Sequence, residues 1–284
     1  MRSHRIGHYA LLIVVTGLLT FPNLGAPSLW DMDEGVNAEC TREMMESGTW
    51  IIPTFNWELR TAKPILTYWL ARPGFELLGV NEFTSRLPSA ILGILSVLLT
   101  YELGRSMFSP ITGLLAGVVL ASAVQFCLLS HAATPDAPLI FCTILTFYVF
   151  WVGHLNGGRS WFALGAVATG LAVLAKGPVG LGLPGLVVVL YFLWNREWRR
   201  WFDLRVFLAL FIFLLVAAPW YILVTSETRG DYARGFFGTH NVNRFTNAME
   251  GHSGPPIYYI GAILVLFVPW SCYIGATLWA AVQA

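Results

Sequence analysis

Eight apolar runs, separated by short charged or Gly/Pro-containing segments, limit what this chain can fold into. They fall at about 9–26, 87–103, 110–130, 138–154, 161–175, 178–194, 204–224 and 257–280. A span needs roughly 20 apolar residues. Backbone in lipid must also satisfy its own hydrogen bonds, which a helix does within one segment. The expected fold is an all-α multi-pass membrane protein of about eight transmembrane helices. Composition agrees: 56% of residues are hydrophobic and 12% charged, against about 25% charged in soluble domains. A net charge of +1 leaves no electrostatic footprint for nucleic acid. The four cysteines have no metal-ligand spacing, and three sit in apolar runs as small hydrophobes.

Basic residues set the orientation. With the N-terminus in the cytoplasm and the first helix retained, Arg2, Arg5, Arg105, Arg159, Arg196, Arg199, Arg200 and Arg205 lie inside, in short segments. That matches the positive-inside rule. Only Glu102, Glu197 and Asp203 of the 16 acids fall on that side. The charged stretch 28–86 is then an outer loop within a single domain, 1–284. It meets three other outer segments: the turn Thr134-Pro135-Asp136, the turn Ala175-Lys176-Gly177-Pro178, and the loop 226–256. Residues 36–47 are expected to form a helix on the membrane surface, with Met44 and Met45 toward lipid. Residues 64–80 are expected to be interfacial and interrupted at Arg72-Pro73-Gly74.

Several polar residues of this outer layer are candidates for chemistry. Asp33 and Glu34 follow Trp30 just past a span, where a carboxylate can act as a base or hold a divalent cation. A plainly solvated pair is the ordinary alternative. Lys63 precedes Pro64 and an apolar-aromatic run. It is either a lysine snorkelling over an interfacial helix or a point charge for a phosphate at headgroup depth. Asp136 caps a span or faces the same outer cavity, and Lys176 is a single charge between strongly apolar runs. His240 and Arg244 stand four apart, so a helix would put them on one face. Histidine can ligate metal and arginine can clamp phosphate.

Read in order, these motifs resemble a known family. They are Asp33-Glu34-Gly35-Val36-Asn37-Ala38, Gly48-Thr49-Trp50-Ile51-Ile52-Pro53, Lys63-Pro64-Ile65-Leu66-Thr67-Tyr68-Trp69, Ser85-Arg86-Leu87-Pro88-Ser89, Thr134-Pro135-Asp136, Ala175-Lys176-Gly177-Pro178 and the His240-Asn241-x-x-Arg244-Phe245 run. Together they look like the polyprenyl-phosphate-dependent membrane glycosyltransferases of the GT-C class, which include protein O-mannosyltransferases and aminoarabinose-lipid A transferases. The resemblance implies transfer of a sugar from a polyprenyl-phosphate donor to a lipid, glycan or protein acceptor. Transfer would run with inversion, at the outer face of a bacterial inner membrane. It assigns Asp33, Glu34 and Asp136 to catalysis, and Lys63, Lys176, Arg244 and Tyr68 to the donor phosphate, with His240 near the phosphate or a metal. A divalent metal is left open.

Two departures matter. Lipid A aminoarabinose transferases carry Glu before the Lys-Pro, where this chain has Ala62. That puts a metal bound through that carboxylate, and that acceptor, in doubt. The family also runs on to further spans, so the chain is expected to be an N-terminal part, incomplete at its C-terminus. A transporter, or a polyprenyl-phosphate-binding fragment without catalysis, is the alternative reading. Against a transporter, the charges cluster on one face and no acid lies mid-membrane.

Overall fold

A computed structural model of the chain describes residues 2–157, 159–197, 204–243 and 257–283. Helix α1 (Arg2–Thr20) leads to α2 (Asp31–Glu46), a hairpin of β1 (Thr54–Phe55) and β2 (Glu58–Leu59), and α3 (Leu66–Leu78). The hairpin is antiparallel, with Thr54 opposite Leu59. Seven further helices follow: α4 (Glu82–Met107), α5 (Pro110–Ser122), α6 (Val124–His131), α7 (Asp136–Asn156), α8 (Arg159–Lys176), α9 (Val179–Trp194) and α10 (Leu204–Glu227). A helical turn, Asp231–Ala233, runs into a π-helix, Arg234–Asn243. The last described segments are Ile257–Leu266, the 3-10 turn Trp270–Tyr273 and Ile274–Gln283.

Each of the eight apolar runs contains helix, but they are not eight uniform spans. Three helices, α4, α7 and α10, are long and apolar enough to cross a membrane. Two bent pairs raise this to five if each pair is one span: α5–α6, bent by 64°, and the last pair, bent by 117°. Helices α1, α8 and α9 are apolar but shorter. At the first bend Ala123 leaves the helical region, with ψ 128°. The freed Val124 N–H donates to the Val268 carbonyl (3.1 Å), and the Trp270 indole donates to Ser122 Oγ (2.9 Å). The two breaks therefore satisfy each other, the condition for irregular backbone at membrane depth.

Small residues set how closely the helices pack. A Cβ on Gly113 would lie 2.5 Å from the Tyr101 carbonyl oxygen, and one on Gly180 would collide with the Ala172 backbone. Such contacts let α5 approach α4 and α9 approach α8, the usual packing device between helices in lipid. At the end of the bundle away from the outer loops, Glu102 is a shared anchor. Arg5 and Arg105 donate to its carboxylate and Tyr9 donates to Glu102 Oε1. This ties the start of α1 to the end of α4.

The 28–86 stretch is packed in ways that differ from the sequence expectation. Helix α2 begins at Asp31, and Met44 does not face lipid: it is 1% exposed. It lies in a core with Cys40, Ile65, Tyr68, Trp220 and Tyr232. The reason is that α3 and the outer ends of α8 and α10 cover that face of α2. Helix α3 also runs through Arg72-Pro73-Gly74 without a break. Arg72 turns inward, donating to the Thr49 carbonyl (2.7 Å), and its guanidinium lies 3.8 Å from the Trp50 ring centre. Tight turns complete the loop. Asn56 and Trp57 both adopt positive φ between the two strands, and the Trp57 N–H is held by the buried Glu43 carboxylate at 3.1 Å.

Candidate active site

The first turn of α2 carries Asp33 and Glu34, and their surroundings separate them. Glu34 is 3% exposed. It receives a two-pronged ion pair from Arg86 of α4, Nε to Oε1 at 2.9 Å and Nη2 to Oε2 at 2.8 Å. The Ala133 N–H donates to Oε1 (2.7 Å) and the Trp30 N–H to Oε2 (2.6 Å). Burial alone would push this carboxyl up. The hydrogen bonds from Arg86, Ala133 and Trp30 more than offset it, and the group lies below its ordinary value of 4.5. Arg86 also donates to the carbonyls of Leu24 and Pro27 from Nη1 and to that of Ser28 from Nη2. All five of its N–H groups are thereby used. The pair pins the end of the α1–α2 connection, the start of α2 and the 131–136 turn to one point on α4.

Asp33, one residue earlier, has a half-exposed side chain and faces Lys63, Oδ2 to Nζ 3.8 Å. Lys63 is mostly buried. Burial lowers its pKa from the ordinary 10.5, Asp33 pulls it up, and Lys176 pushes it down again; the net direction is down. Lys176, at the end of α8, donates to Asp136 Oδ1 at 2.5 Å, and Asp136 opens α7. Two lysines and two aspartates from four separate segments thus form a neutral cluster at one end of the helices. Lys63 is held from behind, where Tyr232 Oη donates to its carbonyl (3.0 Å). Gly235 lets the π-helix segment close on Thr61, whose side chain a Cβ there would strike.

A cavity of about 600 Å³ adjoins this cluster, the size of a small-ligand site. Asp33 and Asp136 line it together with Asn23, Trp30, Gln125 and His131. Lys63 and Lys176 do not line it.

The other sequence candidates are placed differently. Tyr68 is 1% exposed within the outer core, and its hydroxyl accepts from Arg60 Nε (3.0 Å). Burial pushes the phenol above its ordinary value. It braces Arg60, whose Nη2 reaches Asn37 Oδ1 at 3.4 Å. His240 is half-buried in the π-helix and is not in the cavity wall. Arg244 lies outside the described residues. No three His, Cys, Asp or Glu side chains among the described residues are arranged to hold a metal ion. Sequence reasoning missed the Glu34–Arg86 tether and the Tyr232 brace. Arg86 stood in a quoted motif, and an arginine in the first turn of a span was its signal.

A bundle of apolar helices with an acidic and basic cluster where loops and helix ends meet defines an integral membrane protein with a polar site at one end of its helices. The sequence pattern of the dolichyl-phosphate-mannose-protein mannosyltransferase family matches residues 62–223, and the chain belongs to that family. It is 32% identical to an undecaprenyl phosphate-alpha-4-amino-4-deoxy-L-arabinose arabinosyl transferase of Pseudomonas aeruginosa, over 95% of this chain and 50% of that protein. It is 30% identical to an uncharacterized protein of Aquifex aeolicus, over 96% of this chain and 54% of the other. The crystal structure of ArnT from Cupriavidus metallidurans bound to undecaprenyl phosphate superposes with a TM-score of 0.89. It is 29% identical, over 98% of this chain and 51% of that one. The chain spans about half the length of the relatives it matches.

Proposed function

We propose that the chain is the catalytic part of a glycosyltransferase that moves a sugar from a polyprenyl-phosphate donor to a lipid, glycan or protein acceptor. The observation that carries this is the Lys63–Asp33 and Lys176–Asp136 cluster at the outer helix ends, with tertiary contacts holding the Lys63 backbone. A lipid phosphate sits at headgroup depth, and this reading puts the cluster there. Its charge would compete with Asp33 for Lys63 and leave the Asp33 carboxylate free. The acceptor oxygen then attacks the anomeric carbon and Asp33 takes its proton. The bond from that carbon to the phosphate oxygen breaks, and the phosphate leaves with the electron pair, stabilised by Lys63 and Lys176. Attack opposite the leaving group inverts the anomeric centre. Glu34, with both oxygens occupied, serves this reading by positioning Asp33. Tyr68 serves it by bracing Arg60. His240 and Arg244 remain assigned to the phosphate side, on the π-helix segment and just beyond it.

This reading puts the site at the outer face of a bacterial inner membrane and takes α1, α8 and α9 as spans, giving eight in all. Cysteine placed at Ser47 is expected to react with an impermeant maleimide from outside, and cysteine at Ser160 only after permeabilisation. Both are made with the exposed Cys272 replaced. Outside labelling at position 160 and not at 47 would invert the topology.

Lys63→Ala is expected to weaken undecaprenyl phosphate binding by about tenfold or more, the loss of one charged hydrogen bond. Equal affinity in the variant would remove Lys63 from the phosphate site. The lowered Lys63 value fixes the sign of the pH effect. Bound phosphate raises that value again, so binding takes up a proton. Affinity is then lost as pH rises, starting below the 10.5 of an ordinary lysine. Titrating undecaprenyl phosphate from pH 7 to 10 measures this, and a flat profile would count against it.

A further inference from the structure

We propose that the apolar groove formed by α8, α9 and α10, at the end of the bundle away from Asp33, holds one acyl chain of an anionic glycerophospholipid. The lipid phosphate would rest on the arginines at that end, Arg196 and Arg205 among them. The proposal stands apart from the transfer reading above and does not depend on it.

The groove has its own place in the fold. Helices α9 and α10 both pack on α8. Between them lies a cavity of about 380 Å³, with α7 completing its wall. Gly153, in that wall, lies about 25 Å along α7 from Asp136, at roughly 1.5 Å per residue. No residue lines both this cavity and the one beside Asp33. Leu181 and Leu210 line it and are half-exposed, so its side opens on the lipid-facing surface of the bundle.

The wall decides what can enter. None of its residues is charged. Its two hydroxyls, on Thr146 and Thr169, donate to the Cys142 carbonyl (2.8 Å) and the Gly165 carbonyl (2.9 Å) of their own helices. Its remaining polar side chain is the Trp161 indole, near the start of α8. A bound water wants two to four polar partners, and an alkyl chain wants none. Gly185 points the same way. A Cβ there would meet nothing within 4 Å, whereas one on Gly180, earlier in α9, would collide with the α8 backbone. Gly185 therefore does not serve close packing. It widens the groove, although glycine weakens a helix relative to alanine.

Charge supplies the headgroup. The α7–α8 and α9–α10 connections, with the first turns of α8 and α10, carry Arg159, Arg196, Arg199, Arg200 and Arg205 against Glu197 and Asp203. With both acids fully paired, three cations remain in excess. Arg205 precedes the lining residue Val206, and its Nη1 stands 3.8 Å from where a Cβ on Gly157, the C-cap of α7, would be. A guanidinium thus stands at the mouth of an apolar groove. Basic pockets between membrane helices suit anionic lipid headgroups, and this one adds a dry slot for the chain.

The test uses the full chain in detergent micelles, read by native mass spectrometry. Dioleoyl phosphatidylglycerol, dioleoyl phosphatidylethanolamine and undecaprenyl phosphate are titrated singly and together. Wild type is expected to hold one phosphatidylglycerol at least about fivefold more tightly than phosphatidylethanolamine, the worth of one basic residue at an anionic surface. It is expected to keep that lipid when undecaprenyl phosphate binds. Gly185→Trp fills the groove and is expected to lose about tenfold or more in phosphatidylglycerol affinity, with undecaprenyl phosphate binding unchanged. Arg196→Gln with Arg205→Gln is expected to bring phosphatidylglycerol down to the level of phosphatidylethanolamine. A reading without substitutions comes from phosphatidylglycerol carrying a diazirine at its chain end, which is expected to crosslink within 181–189 and 206–213. Equal binding of the two phospholipids by wild type, or an unchanged preference in the double variant, overturns the headgroup assignment. One-for-one displacement by undecaprenyl phosphate gives the groove to a polyprenyl chain instead. Wild-type affinity in Gly185→Trp, or crosslinks confined to other segments, puts the lipid on another surface and ends the proposal.

Discussion

Asp33→Asn is expected to abolish sugar transfer, by at least about 10²-fold to 10⁴-fold, the usual contribution of a general base. The substitution keeps size and removes both the charge and the basicity. The Asp33 carboxylate is half-exposed and 3.8 Å from Lys63, so the fold does not depend on it. Undecaprenyl phosphate binding should be retained, or become slightly tighter, because Lys63 loses the carboxylate that competes with phosphate. Measuring kcat for transfer and Kd for undecaprenyl phosphate on the same preparation separates the two effects. Turnover equal to wild type would end the assignment of Asp33 as base. Loss of phosphate binding along with turnover would move Asp33 to a structural role.

Arg86→Met should be the most destabilising of the substitutions considered. It leaves the Glu34 carboxylate buried without its ion pair, and breaking a buried pair costs about 3–5 kcal/mol. It also frees the carbonyls of Leu24, Pro27 and Ser28, so the α1–α2 connection should loosen and the cavity open. A large fall in Tm of the detergent-solubilised protein is the expected readout. The paired change Glu34→Leu with Arg86→Met should recover part of the loss, since no buried charge then remains. A Tm within a degree of wild type for the single variant would show that the tether does not stabilise the fold. The pH dependence has a defined sign. Glu34 has a lowered folded value, so its stabilisation is fully present above the ordinary carboxylate value of 4.5. It is lost as pH falls through the lower folded value. The outer loops should therefore loosen in acid, and the Arg86→Met variant should not show that step.

Much of the architecture was legible from hydropathy. The eight runs all contain helix because an apolar segment in lipid has few other ways to satisfy its backbone. The broken spans were not legible. Ala123 leaves the helix only because Val268, far along the chain, accepts the freed N–H of Val124. The two helices expected in the 28–86 stretch were found, but their facing was misread. Met44 looked like a lipid contact but is covered by α3 and the ends of α8 and α10, and Arg72 looked like part of a helix break but lies within α3, where it donates to the Thr49 carbonyl and sits over Trp50.

Residue types, order and charge asymmetry were enough to mark Asp33, Lys63, Asp136 and Lys176 as one group, and the fold pairs them. Each is an ionisable residue next to an apolar run, and stranding such a charge there is costly without a use. The sequence alone could not tell Asp33 from Glu34, since adjacent carboxylates are chemically alike until their neighbours are known. Tertiary structure decided that. A helical turn sends the two side chains in different directions, Glu34 into Arg86 and two backbone N–H groups, Asp33 toward Lys63 and an open cavity. The same packing spends every donor of Arg86 on Glu34 and three backbone carbonyls. The physical reason is that hydrophobic pattern is written locally along the chain, while the pairing of a buried charge depends on which distant segment the fold brings beside it.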